Sequence, residues 1–241
     1  MALSESSRPR GSILVTGSNR GLGLGWVEAY ARLGWRVFAT CRDPDSADVL
    51  QQLAETEDNV SLHRLDVTSG AQLRQLQREL TDRPIDVLIN NAGVYFERWG
   101  QDPVGSIDFE AWDETLRTNV LGPMRVSEAL LPNVAASTQR LIVTITSHMG
   151  SIADITSPRD YAYRSSKAAL NAAMVGLSHE VKPQGVGVLL LHPGWVRTRM
   201  GGDSAPITVE KSLTGMRTLV DTFNLEQSGQ FLRFDGSAMP W

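Results

Sequence analysis

The sequence has few of the residues that mark several large classes of protein. Its 241 residues include one cysteine, Cys41, which excludes an intrachain disulfide and a cysteine cluster for structural zinc. The 23 lysines and arginines are outnumbered by 27 aspartates and glutamates, which gives a formal net charge of −4. This balance offers no electrostatic footprint for a nucleic-acid backbone or an anionic membrane, so we expect neither partner.

Long apolar runs are also missing. No stretch approaches the roughly 18 apolar residues of a membrane span, and residues 1–10 (MALSESSRPR) lack the apolar segment of a secretory signal. We therefore expect a cytoplasmic protein with a flexible N-terminus at 1–10. Hydrophobic residues at 41% and charged residues at 21% are ordinary for globular proteins, which excludes disordered, collagen-like and coiled-coil classes.

Short apolar runs alternate with longer segments of helical periodicity. They predict strands at 12–16, 36–40, 60–65, 85–90, 141–146 and 187–191. Helices are predicted at 22–33, 46–55, 71–80, 109–136 and 161–181, with a break near Gly122-Pro123. We interpret residues 201–219 as a substrate lid and 230–241 as a closing strand with a tail. The alternation predicts one α/β domain over 1–241, with a Rossmann-type doubly wound parallel sheet of about seven strands and helices on both faces.

A glycine-rich segment joins the first strand to the first helix. Gly17 permits a tight turn, Gly21 lets the backbone approach a pyrophosphate, and Gly23 allows close packing of the helix. A purely structural tight connection is the alternative, because the spacing differs from G-x-G-x-x-G. The candidate cofactor residues here are Gly17, Ser18, Asn19, Arg20, Gly21, Leu22 and Gly23.

Further motifs follow in a characteristic order. They are Leu65-Asp66-Val67, Asn90-Asn91-Ala92-Gly93, Asn119-Val120, Ser147, Tyr163-x-x-x-Lys167 and Pro193-Gly194-Trp195-Val196-Arg197-Thr198. Together with the glycine-rich turn, the combination resembles the short-chain dehydrogenase/reductase family over nearly the whole chain. The segment 192–202 and the tail 234–241 look most like the sniffer/C-factor type of carbonyl reductase.

The tyrosine and lysine suit the reduction of a carbonyl group. Hydride addition needs a proton donor at the developing alkoxide, and a phenol with a pKa near 10 is a weak acid unless a cation favours its anion. Lys167 lies four residues after Tyr163 on the same helix face, so we expect it to lower the phenol pKa. Ser147 would orient the carbonyl oxygen. The resemblance adds Asn119, which would anchor a water near Lys167. Ser151 is a competing serine that we interpret as a loop residue.

The resemblance implies NADP(H) as the cofactor. Arg42 follows the second strand where an NAD-binding protein more often has an acidic residue, so it should meet a 2′-phosphate, with Arg20 as a second cation. Asp43 would instead favour NAD if it pointed at the ribose. The remaining implied cofactor-binding residues are Asp66, Val67, Asn91, Ala92, Gly93, Tyr163, Lys167, Pro193, Gly194, Val196 and Thr198.

The leading hypothesis is an NADPH-dependent reductase of small, mostly apolar aldehydes or ketones. We expect the substrate pocket to be lined by Tyr95, Phe96, His148, Met149, Trp195 and Met200. We expect Arg159, Arg164, Arg197 and Arg199 to be solvated. The four histidines lack metal-ligand spacing, so no metal is expected.

Three questions are left open by the sequence. An NAD-dependent alcohol dehydrogenase differs only in cofactor and direction, and a dinucleotide-binding signalling or regulatory protein would turn over substrate only incidentally. Small residues in the helix 161–181 favour a homodimer or homotetramer, although the same residues would also suit packing within one chain.

Overall fold

The computed structural model describes residues 10–97 and 103–241. Its sheet has the strand order β3-β2-β1-β4-β5-β6-β7, and every adjacent pair is parallel. The strands are β1 Ser12–Thr16, β2 Arg36–Cys41, β3 Val60–Arg64, β4 Val87–Asn90, β5 Leu141–Ile145, β6 Gly187–His192 and β7 Phe231–Arg233. The predicted fold class is confirmed, and the strand order reverses between β1 and β4, where open α/β sheets form a ligand crevice.

Helices cover both faces of the sheet. They are α1 Gly21–Arg32, α2 Asp48–Thr56, α3 Gly70–Glu79, α4 Phe109–Leu116, α5 Gly122–Ala135, α6 Tyr161–Val181 and α7 Val209–Asp221. Alternate side chains of each strand point to opposite faces. Ile13 and Val15 therefore pack with α1, α2 and α7, whereas Leu14 packs with α3, α5 and α6. Burial on both faces explains why these strands are almost continuously apolar.

The helical segment 109–136 is interrupted as predicted, but the interruption lies slightly before Gly122-Pro123. A π-helical turn at Arg117–Leu121 separates α4 from α5, and Asn119 lies in that turn. Gly122 follows it in close contact with the loop after β3, because an added Cβ would lie 2.7 Å from Val67 Cγ2. The break thus places Asn119 where two segments of helix meet.

The structure bears on three other sequence predictions: the N-terminal segment, the lid and the missing membrane span. Residues 1–9 of the predicted N-terminal segment lie outside the described residues. The interval 201–219 consists of a loop followed by most of α7, whose Leu213 and Met216 are buried against the sheet. None of the described helices has the length and apolar character needed to cross a bilayer.

Candidate functional site

The turn after β1 has the backbone conformation that its glycines allow. Gly17 has φ +67° and Gly21 has φ +56°, in the left-handed region that side chains disfavour. Gly23 lies in the first turn of α1, and an added Cβ would come 2.1 Å from the carbonyl oxygen of Gly17. The turn therefore brings its backbone and the α1 N-terminus together, an arrangement suited to a phosphate group.

The segment after β4 holds this turn in place. The side-chain amide of Asn91 donates to the carbonyl oxygens of Thr16 and Gly17 at 2.9 and 3.1 Å. In return, the Thr16 hydroxyl accepts from the backbone N–H groups of Asn91 and Ala92, each at 3.0 Å. Ser18 is fully buried and its hydroxyl bonds to β1 and β2, donating to Val15 and accepting from the Thr40 N–H. The glycine turn is thus fixed from two neighbouring strands.

Cationic side chains gather beside the turn. Burial lowers the pKa of Arg20, and the nearby charges of Arg199 and Arg42 lower it further. None of the three arginines forms an ion pair with the described part of the chain. Three neighbouring cations without an acidic partner suit a phosphate ligand.

Asp43, the residue that would favour NAD, is occupied elsewhere. Its Oδ1 accepts from Arg64 at 3.3 Å and its Oδ2 accepts from the Ser46 hydroxyl at 2.6 Å. The hydrogen bond from Ser46 and the charge of Arg64 hold the pKa of Asp43 below its usual value. The carboxylate is therefore satisfied by protein groups, while Arg42 beside it is exposed.

Arg199 was expected only to be solvated, but it lies near Arg20 at the candidate cofactor-binding turn. The side chain is exposed, but the residue before it, Thr198, lies against the glycine turn: an added Cβ on Gly21 would meet the Thr198 methyl at 3.5 Å. The position of Thr198 in the motif after β6 was the signal that could have placed Arg199 near Arg20.

The other predicted cofactor residues lie at the same carboxyl edge of the sheet. Asp66 and Val67 follow β3, and the Asp66 carboxylate accepts from Thr68. Beyond β6, Gly194 has φ +82° and the Ser212 hydroxyl donates to the Pro193 carbonyl at 2.7 Å. Pro193, Gly194, Val196 and Thr198 thus form a turn facing the glycine-rich segment, with a bridge from Val196 to Ile207.

Four polar residues lie close together at the same edge of the sheet: Asn119, Ser147, Tyr163 and Lys167. Lys167 is buried, with Nζ 5.6 Å from the centroid of the Tyr163 ring and donating to the Ile145 carbonyl at 3.0 Å. An added Cβ on Gly93 would lie 3.2 Å from Asn119 Oδ1 and 3.8 Å from Lys167 Nζ. The absence of a side chain at Gly93 therefore leaves space beside the Lys167 ammonium and the Asn119 side chain.

Asn119 and Ser147 complete the group. Asn119 is fully buried and its side chain bonds to both the N–H and the carbonyl of Val94, at 2.8 and 2.9 Å. Ser147 follows β5 and its hydroxyl accepts from the Met149 N–H at 3.1 Å. The competing Ser151 is engaged structurally, since its hydroxyl donates to the Trp241 carbonyl and accepts from the Asp154 N–H.

Burial shifts the pKa values of Tyr163 and Lys167 in opposite directions. Burial raises the pKa of Tyr163 to about 12, and the hydrogen bond from Ser147 acts in the opposite direction. Burial also lowers the pKa of Lys167 to about 8. The Lys167 ammonium lies over the Tyr163 ring and donates to the Ile145 carbonyl. The expected lowering of the phenol pKa by Lys167 stays a prediction.

A model of the short chain dehydrogenase family matches residues 12–206. The chain belongs to this family. The C-signal protein of Myxococcus xanthus is 41% identical over 169 residues, which cover 70% of this chain and 100% of that protein.

Two solved structures match the whole fold of this short chain dehydrogenase. The carbonyl reductase Sniffer of D. melanogaster has a TM-score of 0.88 and 33% identity, covering 96% of this chain and 99% of its own. The NADPH-bound carbonyl reductase from chicken fatty liver has a TM-score of 0.88 and 34% identity, covering 97% and 100%. The resemblance to the sniffer/C-factor type is thereby confirmed.

In this dehydrogenase, apolar side chains surround the candidate site. The Tyr95 ring lies 4.7 Å from the Tyr163 ring, centroid to centroid. Phe96, Trp195 and Met200 are large hydrophobic residues with about two-fifths of their surface exposed: 41%, 43% and 42%. Met149 is buried, and His148 is exposed with its ring 5.1 Å from that of His192. Exposed apolar surface beside polar groups is typical of a ligand site.

One of the four arginines expected to be solvated is not. Arg164, next to Tyr163, has its Nε and Nη1 atoms buried without a hydrogen-bond partner in the described ranges, while Nη2 donates to Ser157 at 3.2 Å. Arg159, Arg197 and Arg199 are exposed. Arg164 is partly buried because it lies in the first turn of α6, which packs against the loop 148–157.

Proposed function

We propose that this protein catalyses the NADPH-dependent reduction of aldehydes or ketones by hydride transfer. The observation that carries the proposal is that Tyr163, Lys167, Ser147 and Asn119 lie together beside the glycine turn at the carboxyl edge of the sheet. The carbonyl reductases among its structural neighbours support the same reaction class.

The residues present fit the cofactor. Gly17, Gly21 and Gly23 give the pyrophosphate access to backbone N–H groups at the α1 N-terminus. Arg20 and Arg42 would hold the 2′-phosphate, with Arg199 as a third cation. Asn91, Ala92 and Gly93 would line the ribose side, and Pro193, Gly194, Val196 and Thr198 the nicotinamide side. The bound cofactor supplies the hydride.

The chain itself would handle the proton. The Tyr163 hydroxyl donates it to the carbonyl oxygen as the alkoxide develops, and Ser147 hydrogen-bonds the same oxygen. With a pKa of about 12, the phenol is protonated throughout the neutral range. The Lys167 ammonium would stabilise the phenolate left behind, and Asn119 fixes the loop beside it. Together they form a route for returning the proton.

Removal of Arg42 should change the choice of cofactor. We expect Arg42→Ala to weaken NADPH binding about 10- to 100-fold, or about 1.4–2.7 kcal/mol, as the loss of a charged hydrogen bond does, with NADH binding unchanged. Fluorescence titration measures both affinities. Arg36→Ala, at the exposed opposite end of β2, is the matched control. Unchanged NADPH affinity in the Arg42 variant contradicts the assignment, as does equal affinity of the wild type for NADH.

Two alternatives remain as proposals for test. An NAD-dependent alcohol dehydrogenase is disfavoured because Asp43 bonds to Arg64 and Ser46. A dinucleotide-binding signalling protein is suggested by the relative named C-signal. The intact tyrosine, lysine and serine argue for turnover. Turnover of a panel of carbonyl compounds separates an enzyme from the signalling protein, and a cofactor titration separates the NADPH-dependent reductase from the NAD-dependent dehydrogenase.

The substrate we propose is a neutral, mostly apolar carbonyl compound. Tyr95, Phe96, Trp195 and Met200 provide aromatic and thioether surface. Of the expected lid at 201–219, only the loop 201–208 would cover the site, because α7 is packed on the sheet. The loop is tied to the strand end, since Arg197 donates to the Ala205 carbonyl at 3.3 Å.

Aromatic aldehydes should react faster than their carboxylate-bearing analogues. We expect kcat/KM with NADPH to favour the neutral member of each matched pair, because a carboxylate must be desolvated at an apolar surface. A preference for carboxylates above about tenfold, or roughly 1.4 kcal/mol, would show that the partly buried Arg164 takes part in recognition and that the pocket has been misinterpreted.

A homodimer or homotetramer is proposed on the surface of α6. Ala169 and Ala172 are exposed there, and the small side chains permit close approach of a helix from a second copy. Light scattering at micromolar concentration should give a dimeric or tetrameric mass; a monomeric mass contradicts the proposal.

We also propose one domain over the chain and a reducing, cytoplasmic location, consistent with the free and buried Cys41.

A further inference from the structure

Helix α6, which carries Tyr163 and Lys167, begins without a cap of its own. The two preceding residues, Arg159 and Asp160, have φ values of +76° and +55°, which are unfavourable for residues with a side chain. Asp160 is the N-cap residue, but its side chain does not bond to the helix and the first turn contains no acidic residue. Its Oδ1 instead accepts from the Tyr95 hydroxyl at 2.6 Å.

The cap is supplied from a distant part of the chain. Glu97, in the loop after β4, is only 6% exposed. Its Oε1 accepts from the Ala162 N–H at 2.9 Å and its Oε2 accepts from the Tyr163 N–H at 2.7 Å. The first N–H groups of a helix have no partner within the helix. A carboxylate at that end gains both charge-assisted hydrogen bonds and the favourable field of the helix dipole.

The loop that contains Glu97 contacts the candidate catalytic group at three successive points. The backbone of Val94 bonds to the Asn119 side chain through both its N–H and its carbonyl. The Tyr95 ring packs 4.7 Å from the Tyr163 ring, and Glu97 accepts the Tyr163 N–H. Residues 94–97 therefore connect the π-helical turn to both the backbone and the ring of Tyr163.

We propose that Glu97 is a positioning residue for carbonyl reduction, whose buried carboxylate fixes the first turn of α6 and thereby the Tyr163 hydroxyl relative to Ser147. The inference rests on the proposed function, in which Tyr163 is the proton donor. Displacement of a reacting group by about 1 Å can cost about 100-fold in rate. Glu97 would therefore act on kcat without contacting either substrate or cofactor.

The test compares Glu97→Ala and Glu97→Gln with the wild type. We expect Glu97→Ala to lower kcat at least about tenfold, with KM for the carbonyl compound and Kd for NADPH within about twofold, because the carboxylate bonds to the first turn of α6 and would touch neither ligand. Glu97→Gln should be intermediate, because its carboxamide has one acceptor oxygen and its NH₂ group would face the other helix N–H. Partial rescue by glutamine distinguishes positioning from a loss of packing.

Asp108→Ala is the matched control. Asp108 caps the neighbouring helix α4 with a carboxylate, its Oδ1 accepting from the Ala111 N–H at 2.9 Å. Its loss should lower Tm, as a lost cap does, and leave kcat unchanged. If Glu97→Ala likewise lowers Tm and leaves kcat unchanged, the proposal is overturned. A fall in NADPH affinity as large as the fall in kcat would overturn it too.

Two further outcomes are decisive. If Glu97→Ala does not fold, Glu97→Gln decides: a fall in kcat of about threefold or more at constant KM supports positioning, and an unchanged kcat overturns it. Tyr163→Phe is assayed in parallel. An inactive Tyr163→Phe beside a fully active Glu97→Ala rejects the positioning role alone, whereas a fully active Tyr163→Phe rejects the proposed function itself.

Discussion

Tyr163→Phe is expected to retain about 1% or less of the carbonyl reductase activity of the wild type. The substitution deletes only the hydroxyl that would protonate the developing alkoxide, and general acid catalysis typically contributes 10²- to 10⁴-fold. The ring, its contact with Tyr95 and its N–H bond to Glu97 would be retained. Steady-state kinetics with NADPH and a reactive aldehyde, together with an NADPH titration, measure the loss and show that cofactor binding persists.

Tyr161→Phe is the control for this experiment. Tyr161 lies two residues earlier on α6, and its ring stacks near Trp112 at 6.4 Å between centroids. The Tyr161→Phe variant should keep the wild-type kcat. Residual activity above about a tenth in Tyr163→Phe would contradict the proton-donor role, because a positioned water would then be a sufficient acid.

Gly23→Ala is expected to weaken NADPH binding severely. The new Cβ would lie 2.1 Å from the Gly17 carbonyl oxygen and 2.7 Å from the Asn91 side-chain amide, so the turn or the helix must move. Either movement breaks the contact between the glycine turn and the segment after β4. A loss of affinity of at least about 100-fold follows if the phosphate groups depend on that backbone geometry.

Gly176→Ala is the matched substitution. Gly176 also lies within a helix, but an added Cβ there meets no atom of the described residues within 4 Å. Alanine in place of a helical glycine should stabilise the fold by about 0.5–1 kcal/mol and leave NADPH binding unchanged. Near-normal NADPH binding by Gly23→Ala would mean that the cofactor does not use this turn.

The sequence predicted the parts of the structure that depend on local patterns. The strand at 12–16 and the helix at 161–181 agree with the observed elements, because fully buried strands are continuously apolar and long helices show clear periodicity. The glycines at 17, 21 and 23 were identified from their spacing after the first strand; the structure places Gly17 and Gly21 at positive φ and Gly23 where a Cβ would meet the Gly17 carbonyl.

What the sequence did not predict depends on contacts between distant segments. Glu97 caps a helix 65 residues away, which no local spacing reveals. The inward orientation of Arg164 follows from how α6 packs on the loop 148–157. The four-residue spacing placed Lys167 on the same helix face as Tyr163 but could not show that its ammonium donates to the Ile145 carbonyl.

The most direct test of the central claim is product analysis with deuterated NADPH. Purified wild-type protein is incubated with a neutral aromatic aldehyde and NADPH labelled at the transferable C4 position, and the alcohol is analysed by mass spectrometry. We expect one alcohol formed for each NADPH consumed, with the deuterium on the former carbonyl carbon, and none from Tyr163→Phe above about 1% of that rate. Tight NADPH binding without alcohol from any aldehyde or ketone tested would contradict the reductase and favour a dinucleotide-binding protein without turnover.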